Sequence, residues 1–376
     1  MFKLLTLLSL CLMICNIKVC ALSAKSAILI DAHTGRVLMS KDAEIRLGMA
    51  STTKIMTALV AIERGKLDDV VTVSNRASTT EGSSMYLKAG EKICLKDLLY
   101  GLMLNSGNDS SIAIAEHISG DVESFALLMT QKAKDLGLYN TSFTNPHGLD
   151  DIAHYTTAYD MAQITMHALN IPFFAEIVST KVKTIYSQTP DGEFVRTLVN
   201  HNKMLSLYKG ADGVKTGFTK KCGRCLVSSA TKDGLKLIAV TLFAPDDWND
   251  HSQMMDYGFS TYKLKHPIKA KDYIRAVPVI KAVTKKVFLY AQSDVMFAAK
   301  DDDKITIKYN VPDFIKAPVY QGQCHGTVSV YIGTKKVKTI DVIANEDIPV
   351  TQNIKFYDAY YVILKQLFDL LGVQKG

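Results

Sequence analysis

The sequence predicts an α/β domain followed by a small antiparallel β domain, and the order of its hydrophobic patterns carries this prediction. A strand hairpin comes first, a block of amphipathic helices follows, and strands return before residue 243. The sheet of such a layered domain takes strands from both ends of the segment. Beyond Lys263 the pattern changes to short segments with period-two alternation, which is typical of a separate antiparallel β domain.

The elements of the first domain follow from the spacing of apolar residues. Two strands are joined across residues 31–35, a turn that ends in glycine. A helix begins at Ser51, because apolar residues recur every three or four positions up to Ile62, and it ends at Gly65. The other predicted helices are Leu95–Met103, Ser110–Ile118, Glu123–Leu136 and Thr156–Leu169. The predicted strands are Ser26–Ile30, Arg36–Met39, Val182–Ser187, Glu193–Val199, Leu226–Thr231 and Leu235–Leu242.

The last third of the chain is predicted to contain the β domain, residues 263–352, and a C-terminal amphipathic helix, residues 353–376. Alternation is clearest in Ile305–Tyr309, Thr327–Tyr331 and Val337–Val342, and no catalytic cluster lies in this domain. The terminal helix places its charged residues on one side and apolar residues over most of the other. It therefore fits either a membrane surface, as a possible anchor, or a packing face on the β domain or on a partner.

Residues 1–21 have the pattern of a signal peptide. A short basic start precedes an apolar run from Leu4 to Ile17, and Val19-Cys20-Ala21 resembles the site after which a signal peptidase cuts. The alternative is an N-terminal membrane anchor, but the run is shorter than the roughly 20 residues that span a bilayer. The sequence thus predicts an exported protein that begins near Leu22.

Composition is that of a soluble globular protein, with 48% hydrophobic and 22% charged residues. Without the two lysines of the leader, 42 basic and 37 acidic residues remain, a net charge of +5. The basic residues are scattered and no zinc-knuckle spacing occurs, which argues against nucleic-acid binding. The spacing of Cys222 and Cys225 leaves ordinary thiols, a local disulfide and a metal site open.

Three short motifs suggest the chemistry: Ser51-Thr-Thr-Lys54, Ser106-Gly-Asn108 and Lys215-Thr-Gly217. Each alone has an ordinary structural explanation, but together they supply a nucleophile, a base, a relay and an anion anchor. A serine hydroxyl needs a base within hydrogen-bond reach, and on a helix Lys54 lies one turn beyond Ser51. Burial, the positive end of the helix and a second ammonium at Lys215 would each lower the pKa of Lys54.

The second and third motifs complete an acyl-transfer site. Ser106 can pass a proton to the leaving amine, and Asn108 can hold the lysine together with a substrate backbone group. Lys215 and Thr216, expected at the start of a strand, form a compact anchor for a carboxylate.

Backbone groups next to these motifs are candidates for an oxyanion hole. Gly217 lets a substrate lie against the strand, and the N–H groups of Ser51 and Phe218 can face a developing oxyanion.

With these motifs, the chain resembles the low-molecular-mass penicillin-binding proteins, specifically the D-alanyl-D-alanine carboxypeptidases. The resemblance runs from about Ser26 to Tyr262 and includes four longer strings: residues 50–58, Gly82-Ser-Ser-Met-Tyr-Leu87, Asn145-Pro-His-Gly-Leu149 and Asp212-Gly-Val-Lys-Thr-Gly217. It implies a β-lactamase/transpeptidase-like catalytic domain over residues 22–262, an antiparallel sheet with a helical cluster.

The resemblance also implies a function and a role for each motif residue. Ser51 would form an acyl-enzyme with the penultimate D-alanine of a peptidoglycan pentapeptide ending in D-Ala-D-Ala, with Lys54 as proton acceptor. Ser106 and Asn108 would be the relay, and Lys215 with Thr216 would hold the terminal carboxylate.

The same resemblance extends to inhibitors, cofactors and location. β-Lactams would acylate the same serine, and neither a cofactor nor a metal is needed. The expected location is outside the cytoplasm, at the outer face of the cytoplasmic membrane or in the cell wall. Phe218 departs from relatives that carry a polar residue at this position, which makes the local pocket more apolar.

Two other functions share parts of the pattern. A secreted class A β-lactamase has the same nucleophile logic but directs its deacylating water with a carboxylate. Glu176 and Glu193 are candidates by position, yet neither lies in a Glu-x-x-Leu-Asn string, and the middle motif is Ser-Gly-Asn instead of Ser-Asp-Asn. A catalytically silent peptidoglycan-binding protein is the other alternative, and the intact motifs argue against it.

Overall fold

The computed structural model describes residues 22–282 and 284–351, together with Ile363 and Leu367. The predicted signal peptide lies outside these residues, and so does the predicted C-terminal helix apart from those two positions. The predicted fold class is confirmed, since a mixed α/β region is followed by an all-β region. Among the described residues, no helix is both long and apolar enough to cross a bilayer.

Each of the five helices predicted for the first domain is present, with ends that differ by at most three residues. The helices are α1 (Lys54–Arg64), α2 (Asn75–Ser78), α3 (Leu95–Leu104), α4 (Asn108–Ser119), α5 (Val122–Asp135), α6 (Ala158–Leu169), α7 (Pro172–Ser179), α8 (Met204–Leu207) and α9 (Asp247–Thr261). Helix α1 is central, because every residue from Lys54 to Ala61 is buried and the helix packs against α3, α4, α5 and α6.

Two of the longer helices have no counterpart among the predicted elements. Helix α7 begins with Pro172 at its first turn, and α9 is polar overall. The buried side of α9 includes Asp247, Asp250 and His251 beside Met254 and Met255, and such a polar stripe gives no clear helical pattern.

The strands form four sheets in the described part of the chain. They are β1 (Ser26–Asp31), β2 (Val37–Lys41), β3 (Val70–Thr72), β4 (Lys92–Cys94), β5 (Val182–Thr189), β6 (Gly192–Val199), β7 (Ala211–Thr219), β8 (Gly223–Lys232), β9 (Leu235–Leu242), β10 (Lys263–Ile268), β11 (Tyr273–Ile280), β12 (Lys286–Ala291), β13 (Val295–Ala299), β14 (Ile305–Asn310), β15 (Ile315–Lys316), β16 (Cys324–Ile332) and β17 (Lys335–Ala344). The sheet β2-β1-β9-β8-β7 combines strands from before and after the helices, as predicted. A second sheet, β3-β4-β5-β6, was not predicted, because β3 and β4 have only three residues each.

The chain divides into two compact units. The first comprises residues 22–29, 39–229 and 239–256, and it contains all of the predicted site residues. The second comprises residues 30–38 and 230–238 and the described residues from 257 onward.

The β domain shows the predicted alternation. It contains the pair β10-β13 and the sheet β14-β16-β17-β12-β11-β15. Val328 lies opposite Ile340 on the buried face, whereas the neighbouring pair Ser329 and Thr339 faces outward and is joined by a hydrogen bond of 2.8 Å. Apolar residues on the inner face of this sheet therefore form the core of the second unit.

Candidate active site

Ser51 lies in a tight 3-10 turn, Ala50–Thr53, immediately before α1. Its Oγ lies 3.0 Å, a hydrogen-bond distance, from Nζ of Lys54, which is the first residue of α1. Sequence reasoning expected both residues on an α-helix. The 3-10 turn achieves the same contact, because residues three apart in it are nearly eclipsed.

Lys54 is fully buried and has two further partners. Its Nζ donates to Oδ1 of Asn108 at 2.8 Å and to the backbone carbonyl of His147 at 2.7 Å. Burial, followed by the nearby charge of Lys215, holds the pKa of Lys54 well below its usual range, although Asp109 acts in the opposite direction. The side chain is therefore suited to be a neutral amine, whose two hydrogens satisfy the carbonyls of Asn108 and His147. Its lone pair then faces the hydroxyl of Ser51.

Lys215 lies in the interior of β7 and not at its start, since the strand begins four residues earlier at Ala211. Its side chain is 1% exposed, and Nζ donates to the carbonyl of Thr216 at 2.8 Å. Burial lowers the pKa of Lys215 to about 7. A bound carboxylate would favour the ammonium form, because an opposite charge nearby raises the pKa of a lysine.

The alternation of β7 separates the residues of the third motif. Lys215 and Gly217 are buried, whereas Thr216 is half-buried and Phe218 is 65% exposed. A Cβ added at Gly217 would lie 3.0 Å from the backbone nitrogen of Ser51. Glycine thus allows β7 to pass directly beside the nucleophile, while Thr216 and Phe218 lie on the open side.

Ser106 and Asn108 lie at the junction of α3 and α4. Ser106 is 5% exposed and has a left-handed φ of 59°, which is uncommon for a residue other than glycine. Asn108 is the first residue of α4, and its Nδ2 donates to the carbonyl of Glu81 at 2.7 Å. The amide of Asn108 is therefore oriented from both ends, by Lys54 on one side and by Glu81 on the other.

Asp109 is a site-supporting residue that sequence reasoning missed. It is 1% exposed, accepts hydrogen bonds from the backbone N–H groups of Met85 and Leu87, and accepts one of 2.6 Å from Oγ of Ser84. It therefore fixes the segment 82–87 against α4. The available signal was a carboxylate directly after Asn108, in the first turn of α4.

A buried ion pair holds the same segment from the other side. Arg196 and Glu91 lie 2.6 Å apart, and Arg196 also donates to the carbonyls of Met85 and Tyr86 at 2.9 Å each. The two residues are 105 positions apart in the sequence, so their pairing had no local signal.

The segment 145–149 contributes through its backbone. The carbonyl of Pro146 accepts a hydrogen bond of 2.6 Å from Thr57, one turn beyond Lys54, and the carbonyl of His147 holds Lys54 itself. Burial lowers the pKa of His147 to about 3, so its ring is neutral near pH 7. A backbone carbonyl can belong to any residue, which is why sequence reasoning assigned no role here.

The cysteines and the two alternative carboxylates form none of the side-chain hydrogen bonds described above. Cys222 and Cys225 are free thiols, and the thiol of Cys222 donates to Asp150 at 3.0 Å. Glu176 lies on α7 and accepts a hydrogen bond of 2.7 Å from Tyr100, and Glu193 is exposed on β6.

The profile of the D-alanyl-D-alanine carboxypeptidase family of peptidases matches residues 15–246, and that of the C-terminal domain of penicillin-binding protein 5 matches residues 262–350. The chain is 38% identical to the D-alanyl-D-alanine carboxypeptidase DacF of Bacillus subtilis over 86% of this chain and 85% of that protein. It is 32% identical to DacC of Escherichia coli over 87% and 85% of the two chains.

Solved structures give the same result. Penicillin-binding protein 5 of Haemophilus influenzae matches with a TM-score of 0.72 at 28% identity, over 87% of this chain and 98% of that one. A peptidoglycan synthesis regulatory factor, PBP3 of Streptococcus pneumoniae, matches with a TM-score of 0.74 at 26% identity, over 87% and 99%. Both similarities extend through the α/β region and the β domain.

Proposed function

The chain belongs to the family of D-alanyl-D-alanine carboxypeptidases and is a serine peptidase of the penicillin-binding protein fold, and we propose how its site performs that reaction. It removes the terminal D-alanine from peptides ending in D-Ala-D-Ala, through an acyl-enzyme on Ser51. One observation carries this assignment: Nζ of the buried Lys54 lies 3.0 Å from Oγ of Ser51, with both of its amine hydrogens accepted by carbonyls.

In the acylation step, Lys54 as a neutral amine takes the proton of Ser51 while Oγ attacks the carbonyl of the penultimate D-alanine. The carbonyl oxygen becomes an oxyanion, which the backbone N–H groups of Ser51 and Phe218 stabilise. Such preorganised donors are commonly the largest single contribution to catalysis of acyl transfer.

Release of the leaving group needs a proton at the nitrogen of the terminal D-alanine. The proton passes from Lys54 to that nitrogen through the hydroxyl of Ser106, which acts as the relay. Lys215 and Thr216 bind the carboxylate of the departing residue. A water molecule then gives one proton to Lys54 and attacks the ester carbonyl. As the bond to Oγ breaks, Lys54 returns that proton to Ser51, and the shortened peptide leaves.

β-Lactams inhibit such a site by the same first step. Ser51 opens the four-membered amide ring, and the leaving amine stays tethered to the acyl group. Lys215 and Thr216 would bind the β-lactam carboxylate in place of the terminal carboxylate of the peptide.

A direct assay tests the assignment. We expect the purified protein to release D-alanine from diacetyl-L-Lys-D-Ala-D-Ala and to be labelled by a fluorescent penicillin. The variant Ser51→Ala should lose both signals, because no other group replaces the nucleophile, and Lys54→Ala should lose turnover. A Lys54→Ala protein with a near-normal rate would contradict the lysine-base mechanism.

The same assay separates the alternative functions. A β-lactamase would turn over penicillin rapidly, and a silent binding protein would take the label without releasing D-alanine. The carboxylates expected for a β-lactamase are engaged elsewhere or exposed, which favours slow release of penicillin from Ser51.

We further propose domain boundaries and a location. Residues 1–21 are a cleaved signal peptide, residues 22–262 the catalytic domain, residues 263–352 the β domain, and residues 353–376 a helix that contacts the membrane surface. The start of β10 at Lys263 supports the boundary between the catalytic domain and the β domain. The substrate is cell-wall peptidoglycan. The amphipathic pattern of the last segment supports the membrane contact.

A further inference from the structure

A chain of hydrogen bonds leads from His154 to the peptide group that precedes the nucleophile. The backbone N–H of Thr144 donates to Nδ1 of His154 at 3.1 Å. Because an amide N–H can only donate, Nδ1 is the acceptor and Nε2 carries the proton of the neutral ring. Nε2 therefore donates to Oγ1 of Thr53 at 2.7 Å, and Thr53 donates to the carbonyl of Ala50 at 2.8 Å.

This chain is enclosed by the protein. Ala50 and Thr53 are buried, and His154 is 4% exposed. Burial lowers the pKa of His154 to about 4, so the ring keeps its neutral form and its acceptor nitrogen at physiological pH. A Cβ added at Gly148 would lie 2.0 Å from the carbonyl oxygen of Ala50 and 2.8 Å from Oγ1 of Thr53, so that carbonyl has no room to rotate toward the segment 145–149.

The direction of the Ala50 carbonyl fixes the direction of the Ser51 N–H. The two groups belong to one planar trans peptide unit and point in opposite directions. The carbonyl points to Thr53 and Gly148, whereas the nitrogen of Ser51 lies 3.0 Å from the position of a Cβ on Gly217 in β7. Ala50 also has a left-handed φ of 47°, an unfavourable conformation that needs support from its surroundings.

We propose that Thr53 and His154 are positioning residues that aim the N–H of Ser51 into the oxyanion hole. The inference rests on the proposed function of Ser51 and assigns to these two residues a role in the chemical step. Neither side chain contacts the substrate. They act through the orientation of one peptide group.

Matched variants test the proposal in the full-length protein. Thr53→Val keeps the shape of threonine but removes the hydroxyl, whereas Thr53→Ser keeps the hydroxyl. His154→Leu removes both ring contacts, whereas His154→Gln offers one acceptor and one donor.

We expect Thr53→Val and His154→Leu to lower kcat for diacetyl-L-Lys-D-Ala-D-Ala by about 10- to 100-fold, less than the loss of a whole oxyanion donor. KM should change by less than about two-fold, because ground-state binding is untouched, and Thr53→Ser and His154→Gln should keep most of the wild-type kcat.

A thiono ester substrate provides a readout specific to the oxyanion hole. Replacing the reacting carbonyl oxygen by sulfur weakens the interaction with N–H donors, so the wild-type protein should prefer the oxygen ester strongly. That preference should shrink in Thr53→Val and stay in Thr53→Ser.

The proposal is overturned if a folded Thr53→Val protein keeps the wild-type kcat, or if the two threonine variants lose activity equally. Failure of the proposed function looks different, since the wild-type protein would then neither release D-alanine nor bind penicillin.

Discussion

At the scale of single residues, the site depends on two lysines with different tasks. Lys54 must be neutral to accept the proton of Ser51, and burial with the nearby charge of Lys215 lowers its pKa. Lys215 must be charged to bind a carboxylate, yet burial lowers its pKa to about 7. Each charge disfavours the other, so the two groups titrate as a coupled pair. The form with Lys54 neutral and Lys215 charged is the productive one.

This coupling predicts a pH dependence that a single substitution changes. As pH rises above about 7, the free protein loses the charge on Lys215, so KM for the D-Ala-D-Ala peptide should rise and kcat/KM should fall. In Lys215→Arg the guanidinium stays charged throughout this range, and the alkaline decline should disappear even if the maximum is lower. The measurement is kcat/KM between pH 5 and 10 for both proteins. An unchanged alkaline limb in Lys215→Arg would assign the decline to another group.

At the scale of elements, three segments converge on the start of α1. The turn 50–53 presents Ser51, β7 passes beside it at Gly217, and the segment 145–149 holds Lys54 through a carbonyl. Asn108 belongs to α4, and its neighbour Asp109 pins the segment 82–87. The geometry of the site therefore depends on loops that are themselves fixed by buried polar groups.

Asp109 provides a test of this support. In Asp109→Asn an amide replaces a carboxylate that accepts backbone N–H groups, and we expect a loss of about 2 kcal/mol in the free energy of unfolding. D-Alanine release should fall as well, because Asn108 donates to the carbonyl of Ser83 in this segment and to that of Glu81 directly before it. Denaturant unfolding and kcat should be measured together, with Asp302→Asn as the control, since Asp302 is exposed. Equal changes in the free energy of unfolding and in kcat for the two substitutions would contradict a supporting role of Asp109.

His251 links α9 to the central sheet and predicts acid sensitivity. Its ring is fully buried between Ser228 on β8 and Thr241 on β9, and burial lowers its pKa to about 3. Above pH 6.5 the ring is neutral in both the folded and the unfolded chain. Below that value His251 is protonated in the unfolded chain but stays neutral in the folded chain, so the free energy of unfolding falls as pH decreases toward 3.

The expected slope from this one residue is about 1.4 kcal/mol per pH unit between roughly pH 6 and 4. In His251→Gln the free energy of unfolding should be lower at pH 7 but should decline less steeply with acid. Urea unfolding at several pH values measures the difference. Parallel pH dependence in the two proteins would place the acid sensitivity in other groups.

At the scale of the whole molecule, the charge is distributed unevenly. Residues 263–351 contain 15 Lys and Arg against 9 Asp and Glu, a net charge of +6, whereas residues 22–262 contain 24 against 26. The net positive charge of residues 22–351 thus lies in the β domain, which is next in sequence to the amphipathic segment. Basic surfaces are attracted to anionic lipid within about one Debye length.

Membrane association should accordingly have two separable contributions. We expect the full chain to sediment with anionic vesicles, and a chain that ends at Asn353 to lose most of that binding. Residual binding of the shorter chain should vanish at about 0.5 M salt, because electrostatic attraction is screened whereas apolar burial is not. Equal sedimentation of the two chains at high salt would contradict a role of residues 354–376 as the anchor.

Much of this protein followed from local patterns. The five longer helices up to α6, the sheet with strands from both sides of the helices, and the alternating β domain were predicted because their apolar spacing is regular over many residues. The short strands β3 and β4 and the polar helix α9 were not, since three residues or a mixed face carry too little periodicity. The serine, the lysines and their neighbours were found because nucleophile, base and anion anchor require particular side chains.

The amino-acid sequence by itself determined which side chains are available for acyl transfer and in which motifs they occur. Only the tertiary structure decided the environment that makes them reactive: the burial of Lys54, the carbonyls of His147 and Asn108 around it, and the close approach of β7. It also brought Thr53 and His154 together over 101 positions of sequence. The physical reason is that pKa values and backbone orientation depend on burial and on partners distant in the chain, and such partners leave no local pattern.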